Sequence, residues 1–474
     1  MSGPPVVVVG GGVAGLGAAL GLGRAGQRVV VCDRDELTVA DGPDTAFAVE
    51  RRGAPQVRHT HGLLARLTAT LRDRFPDVLT TLVAAGGVEV DLTHRFADQL
   101  DGDADLRVLL ARRTTLEWAL RTAAAAEPGV TLRGGEIVAG LVGDSTTVRG
   151  VRLATGEELD ATAVVVAGGR RAPVPGWLGQ LGIELPEDSH DTGIVYLTRW
   201  YRTGADWDPV LGGDDLVKLA GDLGYLFYLA VPADRGTFSL TMAIGSEDSR
   251  LRSHLLDPDA FDRAAVALPL PSGLVGRLRP DGPVHPMGGL VNRIRWFVTE
   301  DGQPRVTGVH AVGDAHTCTN PIYGRGCSLA LVQAVALTDA FAAHPHDPRA
   351  RAAAYEATCR EQTEPWYRVS VQTDQARLAR MARAAAGRPT TTEGAGPIDQ
   401  LMELGGDDPI LGRAILKAVN LLATPQQLMR DPALLSRTIE LAAAKANAPP
   451  AAPRPNRWAR QGPTRQELLD PTAA

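Results

Sequence analysis

Three glycines at fixed spacing, Gly10-x-Gly12-x-x-Gly15, stand between a β-branched run, Val6-Val7-Val8-Val9, and a segment of small and apolar residues, 16–25. The run reads as a strand buried on both faces and the segment as a helix. Each glycine in such a turn has a physical task. The first permits the tight turn, the second lets the backbone approach a pyrophosphate, and the third lets helix and strand pack closely. The helix N-terminus, with Val13 and Ala14 in it, then turns unpaired N–H groups and partial positive charge toward the phosphates. A second buried strand, 28–33, ends in Asp33, 21 residues after Gly12, where a carboxylate can hold a ribose diol. Strand, turn, helix, strand and acid in this order predict a dinucleotide site. The motif alone does not separate NAD from FAD.

A second constellation separates them. Val312-Gly313-Asp314 closes an apolar run at 306–312, and Asn320-Pro321-Ile322-Tyr323-Gly324-Arg325-Gly326-Cys327-Ser328 leads into a helix over 326–343. An aspartate at a strand end accepts hydrogen bonds from a polyol chain. A glycine-rich turn into a helix N-terminus sets N–H groups and a positive dipole against an anion. A reduced isoalloxazine is such an anion, whereas NAD needs no second visit by the chain. The pair of motifs points to FAD.

The elements that position these residues follow from patterning. The chain has 474 residues, 44% hydrophobic and 22% charged, with 52 glycines and 33 prolines. That excludes collagen, coiled coil and wholesale disorder, and predicts two to three domains. The net charge of −6 has no basic block, so no nucleic-acid partner is expected. Cys32, Cys318, Cys327 and Cys359 make no C-x-x-C pair, which predicts neither a zinc site nor a disulfide framework and suits a reducing cytoplasm. The uncharged stretch 3–23 is long enough to raise a membrane span, but its glycines and prolines fit the nucleotide turn better.

Residues 35–62 read as a long loop, 63–75, 78–85 and 114–125 as helices, 129–160 as a small antiparallel meander, and 163–167 as another buried strand. Half-buried alternation at 192–201, 225–229 and 238–244 predicts a second sheet. Residues 349–445 read as mostly helical. The expected fold is α/β: a Rossmann-like FAD-binding domain (1–185, with a return segment at 299–345), an inserted β-sheet substrate domain (186–298), C-terminal helices (346–446), and a flexible tail (447–474).

The chain resembles the flavin-dependent monooxygenases of the para-hydroxybenzoate hydroxylase type. Three segments carry the likeness: the N-terminal glycine motif, the helix start Arg113-x-x-Leu116-Glu117, and Gly313-Asp314…Pro321-x-x-Gly324-x-Gly326. It is also similar to bacterial flavin epoxidases and hydroxylases of polyketide tailoring, through Gly53-x-Pro55-Gln56-x-Arg58-His59-x-His61, Gly169-Arg170-Arg171 with Trp177-Leu178, and Asn320-Pro321-Ile322-Tyr323-Gly324. The resemblance spans residues 5–345. It implies that Gly10, Gly12, Val13, Ala14 and Gly15 contact the pyrophosphate, Asp33 and Arg34 the adenosine ribose, Val138 the adenine, and Arg113 the pyrophosphate or ribityl region. By the same token Gly313 and Asp314 hold the ribityl chain. Pro321, Gly324, Gly326, Cys327 and Ser328 lie along the flavin ring, with Gln56, Val57 and Arg58 on its other side. The implied activity is epoxidation or hydroxylation of an apolar small molecule through a flavin C4a-hydroperoxide formed with O2, in natural-product biosynthesis.

Departures from that pattern matter. The family's usual Asp-Gly pair after the strand at 163–167 is Gly168-Gly169 here. The electron donor is therefore either NAD(P)H or a separate flavin reductase. The Trp-x-Trp segment of flavin halogenases is missing, which argues against halogenation. Tyr196, Trp200, Tyr225, Phe227, Met242, Met287 and Tyr323 are the candidates for the substrate pocket, although alternating strand residues are as often plain core. His59 and His61 have metal-ligand spacing, but no third ligand is signalled and no metal is expected. Cys327 reads as a small buried residue facing the ring rather than a reactive thiol. An FAD-dependent oxidoreductase that moves hydride without inserting oxygen and a non-catalytic FAD-binding protein are the competing readings.

Overall fold

The architecture was taken from a computed structural model that describes residues 3–203, 218–271, 274–385, 397–405, 408–447 and 460–470. Its central layer is a five-stranded parallel sheet. In spatial order the strands are Val309–Ala311, Ala163–Val166, Val6–Val9, Val29–Asp33 and Val130–Gly134. Val6–Val9 and Ala163–Val166 are buried throughout, as expected of all-apolar strands covered on both faces. The helix Val13–Arg24 returns over the sheet and packs on the long helix Gly326–Ala343, with Gly17 and Gly21 against Leu331 and Thr338. The absence of side chains at 17 and 21 lets the two axes approach closely. Gly326–Ala343 is long and apolar enough to cross a membrane, but 72% of it is buried inside the molecule.

The inserted domain is a six-stranded antiparallel sheet built on Ala220–Asp222, Leu226–Pro232, Thr237–Gly245, Ile194–Arg202, Arg279–Pro280 and His285–Met287. Its two faces differ. Leu197, Tyr228, Leu240, Met242 and Ile244 point to a back face covered by the helices Ser249–Leu255 and Pro258–Ala267. Tyr196, Phe227 and Ala243 share one row on the front face, because Tyr196 and Phe227 both pair with Ala243. A three-stranded sheet, Glu187–Asp191, Val291–Arg295 and Thr317–Cys318, ties the insert to the return segment.

Several expectations need correction. The loop at 35–62 contains a helix, Pro43–Ala48, and a 3-10 turn, Pro55–Arg58, each opened by a proline that presets the backbone. The strand read over 306–312 is Val309–Ala311 only. A hairpin, Val88–Asp91 with Arg107–Leu110, went unread because its alternation is short and interrupted by charge. The expected tail also departs. Residues 448–459 and 471–474 lie outside the described residues, but Arg465–Leu469 is a helix docked on the back of the inserted sheet. Leu468 and Leu469 enter that core, Arg465 grips Asp248 at 2.6 and 2.8 Å, and Tyr225 Oη donates to the Pro463 carbonyl. Two leucines and a bidentate arginine explain why composition alone misread it.

Candidate functional site

The turn after the first strand forms one wall of a cavity of about 390 Å3 at the carboxyl ends of the parallel strands. Gly10 sits at φ +112°, and a Cβ there would meet the Ala167 carbonyl oxygen at 2.6 Å. The helix that follows has no side-chain cap and no acidic residue in its first turn, so its N–H groups and dipole face the cavity unopposed. Asp33 holds this turn: its carboxylate accepts from Gly11 N at 2.5 Å and from Asp35 N at 2.8 Å. The return segment adds a second uncapped start at Gly326, again without an acid in the first turn. Thr319 Oγ1, on a cavity-lining residue, is buried without a partner among the described residues. An adenine–ribose–pyrophosphate ligand fits this donor set, and the lining runs on from Val138 to Gly324.

Of the expected cofactor contacts, Gly10, Gly12, Val13, Ala14, Asp33, Arg34, Gln56, Arg113, Val138, Gly313, Asp314, Pro321, Gly324, Gly326 and Cys327 line this one cavity. Four do not. Gly15 is a packing contact against Gly10. Val57 is the buried residue of the 3-10 turn, and the Arg58 guanidinium lies 4.8 Å over the Phe47 ring. Ser328 is fully buried one residue beyond the lining. Asp314 is held above the usual aspartate range by burial, which Arg113, Arg170 and Arg293 only partly oppose. Burial likewise pushes the Cys327 thiol up to about 11, so it stays protonated at neutral pH.

Arg51 was not anticipated. It bonds Glu117 at 2.7 Å and Asp35 at 3.0 Å, lies 3.9 Å from Asp33, and lines the cavity. The basic pair Arg51-Arg52 ahead of Gly53 was its only trace in the sequence. Glu117 also accepts from Arg113 at 3.0 Å. Burial alone would raise the Glu117 carboxyl, but Arg51, Arg113 and Arg121 together outweigh it and hold it below its ordinary value. A depressed carboxylate stabilises the fold at pH above its unfolded value, and that contribution is lost as pH falls through its folded value. Glu117→Gln is therefore expected to lower stability at pH 7, with the gap to the unmodified protein closing below about pH 4 in paired denaturant titrations.

The pocket candidates divide by face. Tyr196, Phe227 and Met287 lie in an apolar cluster with Ile194, Ala243, Leu290 and Ile322, beside the return segment. Met287 also lines the cavity. Trp200 is on the front face but is spent on structure: Nε1 donates to the Arg58 carbonyl and the ring packs edge-on against Phe47. Met242 and Tyr225 are corrections. Met242 pairs with Leu197 on the back face, one register step from the front-face row of Tyr196, Phe227 and Ala243. Tyr225 precedes the strand and binds the C-terminal segment.

Tyr323 anchors a network that sequence did not reveal. Asp374, 2% exposed, accepts from Tyr323 Oη at 2.8 Å, Asn292 at 2.7 Å, Asn320 at 2.9 Å and Arg377 at 3.0 Å. Tyr196 Oη donates to Asn320 Oδ1. One carboxylate thus joins the three-stranded sheet, the return segment and the helix Glu364–Ala385, and Asn320 ties Tyr196 of the inserted sheet to it. Among the described residues, no group of three His, Cys, Asp or Glu side chains is placed to hold a metal.

Fold, cleft and donor set together define an FAD-dependent oxidoreductase with the fold of the FAD-dependent monooxygenases. Residues 4–200 match the FAD binding domain family. Protein Rv3254 of Mycobacterium tuberculosis is 29% identical over 372 residues, 69% of this chain and 71% of that protein. A kynurenine 3-monooxygenase of Salinispora arenicola is 28% identical over 376 residues, covering 76% of this chain and 77% of the relative. The p-nitrophenol 4-monooxygenase PnpA of Pseudomonas putida superposes with a TM-score of 0.61 at 19% identity, over 89% of this chain and 98% of that one.

Proposed function

We propose that the protein is an FAD-dependent monooxygenase that hydroxylates or epoxidises a small, mainly apolar molecule, with natural-product biosynthesis as its setting. The observation that carries this is a single cavity with two kinds of wall. One wall is the uncapped glycine turn with Asp33 and Asp314; on the other stands Met287 of the inserted sheet, itself in an apolar cluster with Tyr196 and Phe227. Gly10 to Ala14 and Arg113 would hold the pyrophosphate, Asp33 the ribose, and Asp314 the ribityl chain. Bound FAD, once reduced, supplies oxygen activation. The chain's own part is to orient the substrate and exclude water, which the apolar cluster around Tyr196, Phe227 and Met287 suits. The likeness to a kynurenine 3-monooxygenase supports an oxygen-inserting reading.

The test has two stages. Purified protein is expected to carry flavin absorbance, or to acquire it with about one FAD per chain. The FAD-loaded protein, reduced with NADPH or with an added flavin reductase and mixed with 18O2 and a library of aromatic and polyene compounds, is expected to yield product bearing one 18O. Product without the label would instead mark a hydride-transfer enzyme. Loss of any flavin binding would overturn the proposal outright.

A further inference from the structure

Five polar side chains on the front face and the adjoining loop are joined in one line. Ser239 Oγ reaches the Val231 carbonyl oxygen at 3.4 Å. Thr60 Oγ1 lies 2.9 Å from Ser239 Oγ and 2.8 Å from Thr241 Oγ1. Thr241 Oγ1 is 2.6 Å from Thr198 Oγ1, and Thr198 Oγ1 is 2.9 Å from His59 Nδ1. A carbonyl only accepts, so Ser239 donates to it. Each hydroxyl has one proton to give. Thr60 therefore donates to Ser239, Thr241 to Thr60, and Thr198 to Thr241. With its proton committed, Thr198 can only accept from the imidazole. His59 Nδ1 must carry the ring proton, and Nε2 must be a bare lone pair.

That lone pair has somewhere to go. His59 lines the cavity, is 6% exposed, and its Nε2 has no hydrogen bond among the described residues. The neighbouring His61 has the same tautomer for a different reason: its Nδ1 lies 2.9 Å from the His59 carbonyl oxygen. Its Nε2, however, is taken, 3.4 Å from the Arg113 guanidinium. Burial first, then the charges of His61, His285 and Arg170, push the His59 imidazole down to about 3, so it is neutral at physiological pH. Hydrogen-bonded hydroxyls in a fixed row thus determine the tautomer of a ring that lines the cavity.

We propose that His59 is a specificity-determining residue whose Nε2 accepts a hydrogen bond from an O–H or N–H group of the molecule beside it, with Thr198, Thr241, Thr60 and Ser239 as positioning residues. The proposal rests on the flavin reading only for the source of that donor. It is either the substrate, which would then be an apolar body with one donor group, or an N–H of the isoalloxazine ring.

The test reads the ring directly. In 15N-histidine-labelled, FAD-loaded protein, long-range 15N–1H correlation assigns His59 by its loss in His59→Phe. Its expected pattern is protonated Nδ1 and unprotonated Nε2 at neutral pH. Thr241→Val is expected to mix in the other tautomer, and Thr241→Ser to restore the original. A merely structural threonine would leave the tautomer unmoved. An Nε2–H ring in the unmodified protein, or no response to Thr241→Val, overturns the proposal. Two probes then locate the donor: 1-naphthol and 1-methoxynaphthalene, titrated against the flavin absorbance of the holoprotein. If the substrate is the source, naphthol binds about five- to tenfold tighter, and His59→Phe removes the preference. If the flavin is the source, His59→Phe instead weakens FAD retention by a like factor. No preference in the unmodified protein, absent binding included, together with unchanged FAD retention overturns it. A protein that never takes up flavin fails the earlier proposal separately, because the His59 tautomer is still readable in it.

Discussion

Gly15→Ala is expected to weaken FAD retention by about a hundredfold and to lower stability at the same time. The added Cβ would sit 1.8 Å from the Gly10 carbonyl oxygen and 3.3 Å from the Ala167 side chain. The carbonyl is backbone held within the turn, so the helix must lift by more than an ångström from the strand. Overpacking of that kind typically costs about 1–3 kcal/mol. The lift also moves the uncapped N–H groups that face the cavity. Gly12→Ala is the informative partner, since a Cβ there meets nothing nearer than Glu117 at 3.7 Å and Arg113 at 3.9 Å. The protein has room for that methyl, and only a ligand would not. Gly12→Ala is thus expected to keep its thermal midpoint yet lose flavin, whereas Gly15→Ala loses both. Flavin-to-protein absorbance ratios and melting curves of the two variants check this. Normal FAD retention in Gly12→Ala would mean that the pyrophosphate lies elsewhere.

What the sequence made legible was local. Val6–Val9, Gly10 to Gly15 and Asp33 lie within one strand–turn–helix–strand unit, where spacing alone sets geometry. Gly326–Ala343 was readable because glycine opens it and the 18-residue helix is mainly apolar. Face assignment was harder. Met242 and Ala243 differ by one step, and only the pairing of Tyr196 with Ala243 decides which lies on the front face. Partners far apart in sequence were invisible. Asp374 meets Asn292 across 82 positions, and Arg413 grips Asp103 across 310. Arg465–Leu469 shows the same limit. A five-residue helix has no periodicity to detect, so only the core it enters reveals it.

Asp234→Ala is expected to destabilise the protein by about 3–5 kcal/mol, because it strands a buried cation. Asp234 is fully buried at the hairpin between two strands of the inserted sheet, and Arg112, 1% exposed, precedes the helix Arg113–Ala126 of the cofactor domain. The carboxylate accepts from Arg112 Nη2 at 2.6 Å, Arg112 Nε at 3.0 Å, the Arg112 backbone N at 2.6 Å and Thr115 Oγ1 at 2.9 Å. Four donors on one carboxylate join the two domains at the helix whose first residue, Arg113, lines the cavity. Asp44 also accepts from Arg112 at 2.8 Å, but it stands at the surface, where solvent weakens its hold. Removing both charges should cost less than removing one, since the penalty comes from the unpaired guanidinium. Asp234→Leu with Arg112→Met is therefore expected to recover part of the loss in denaturant midpoint. If the single and double variants unfold at the same midpoint, the pair is not what couples the domains. If Asp234→Ala also sheds FAD below its unfolding temperature, the clasp sets the position of Arg113 as well as holding the insert in place.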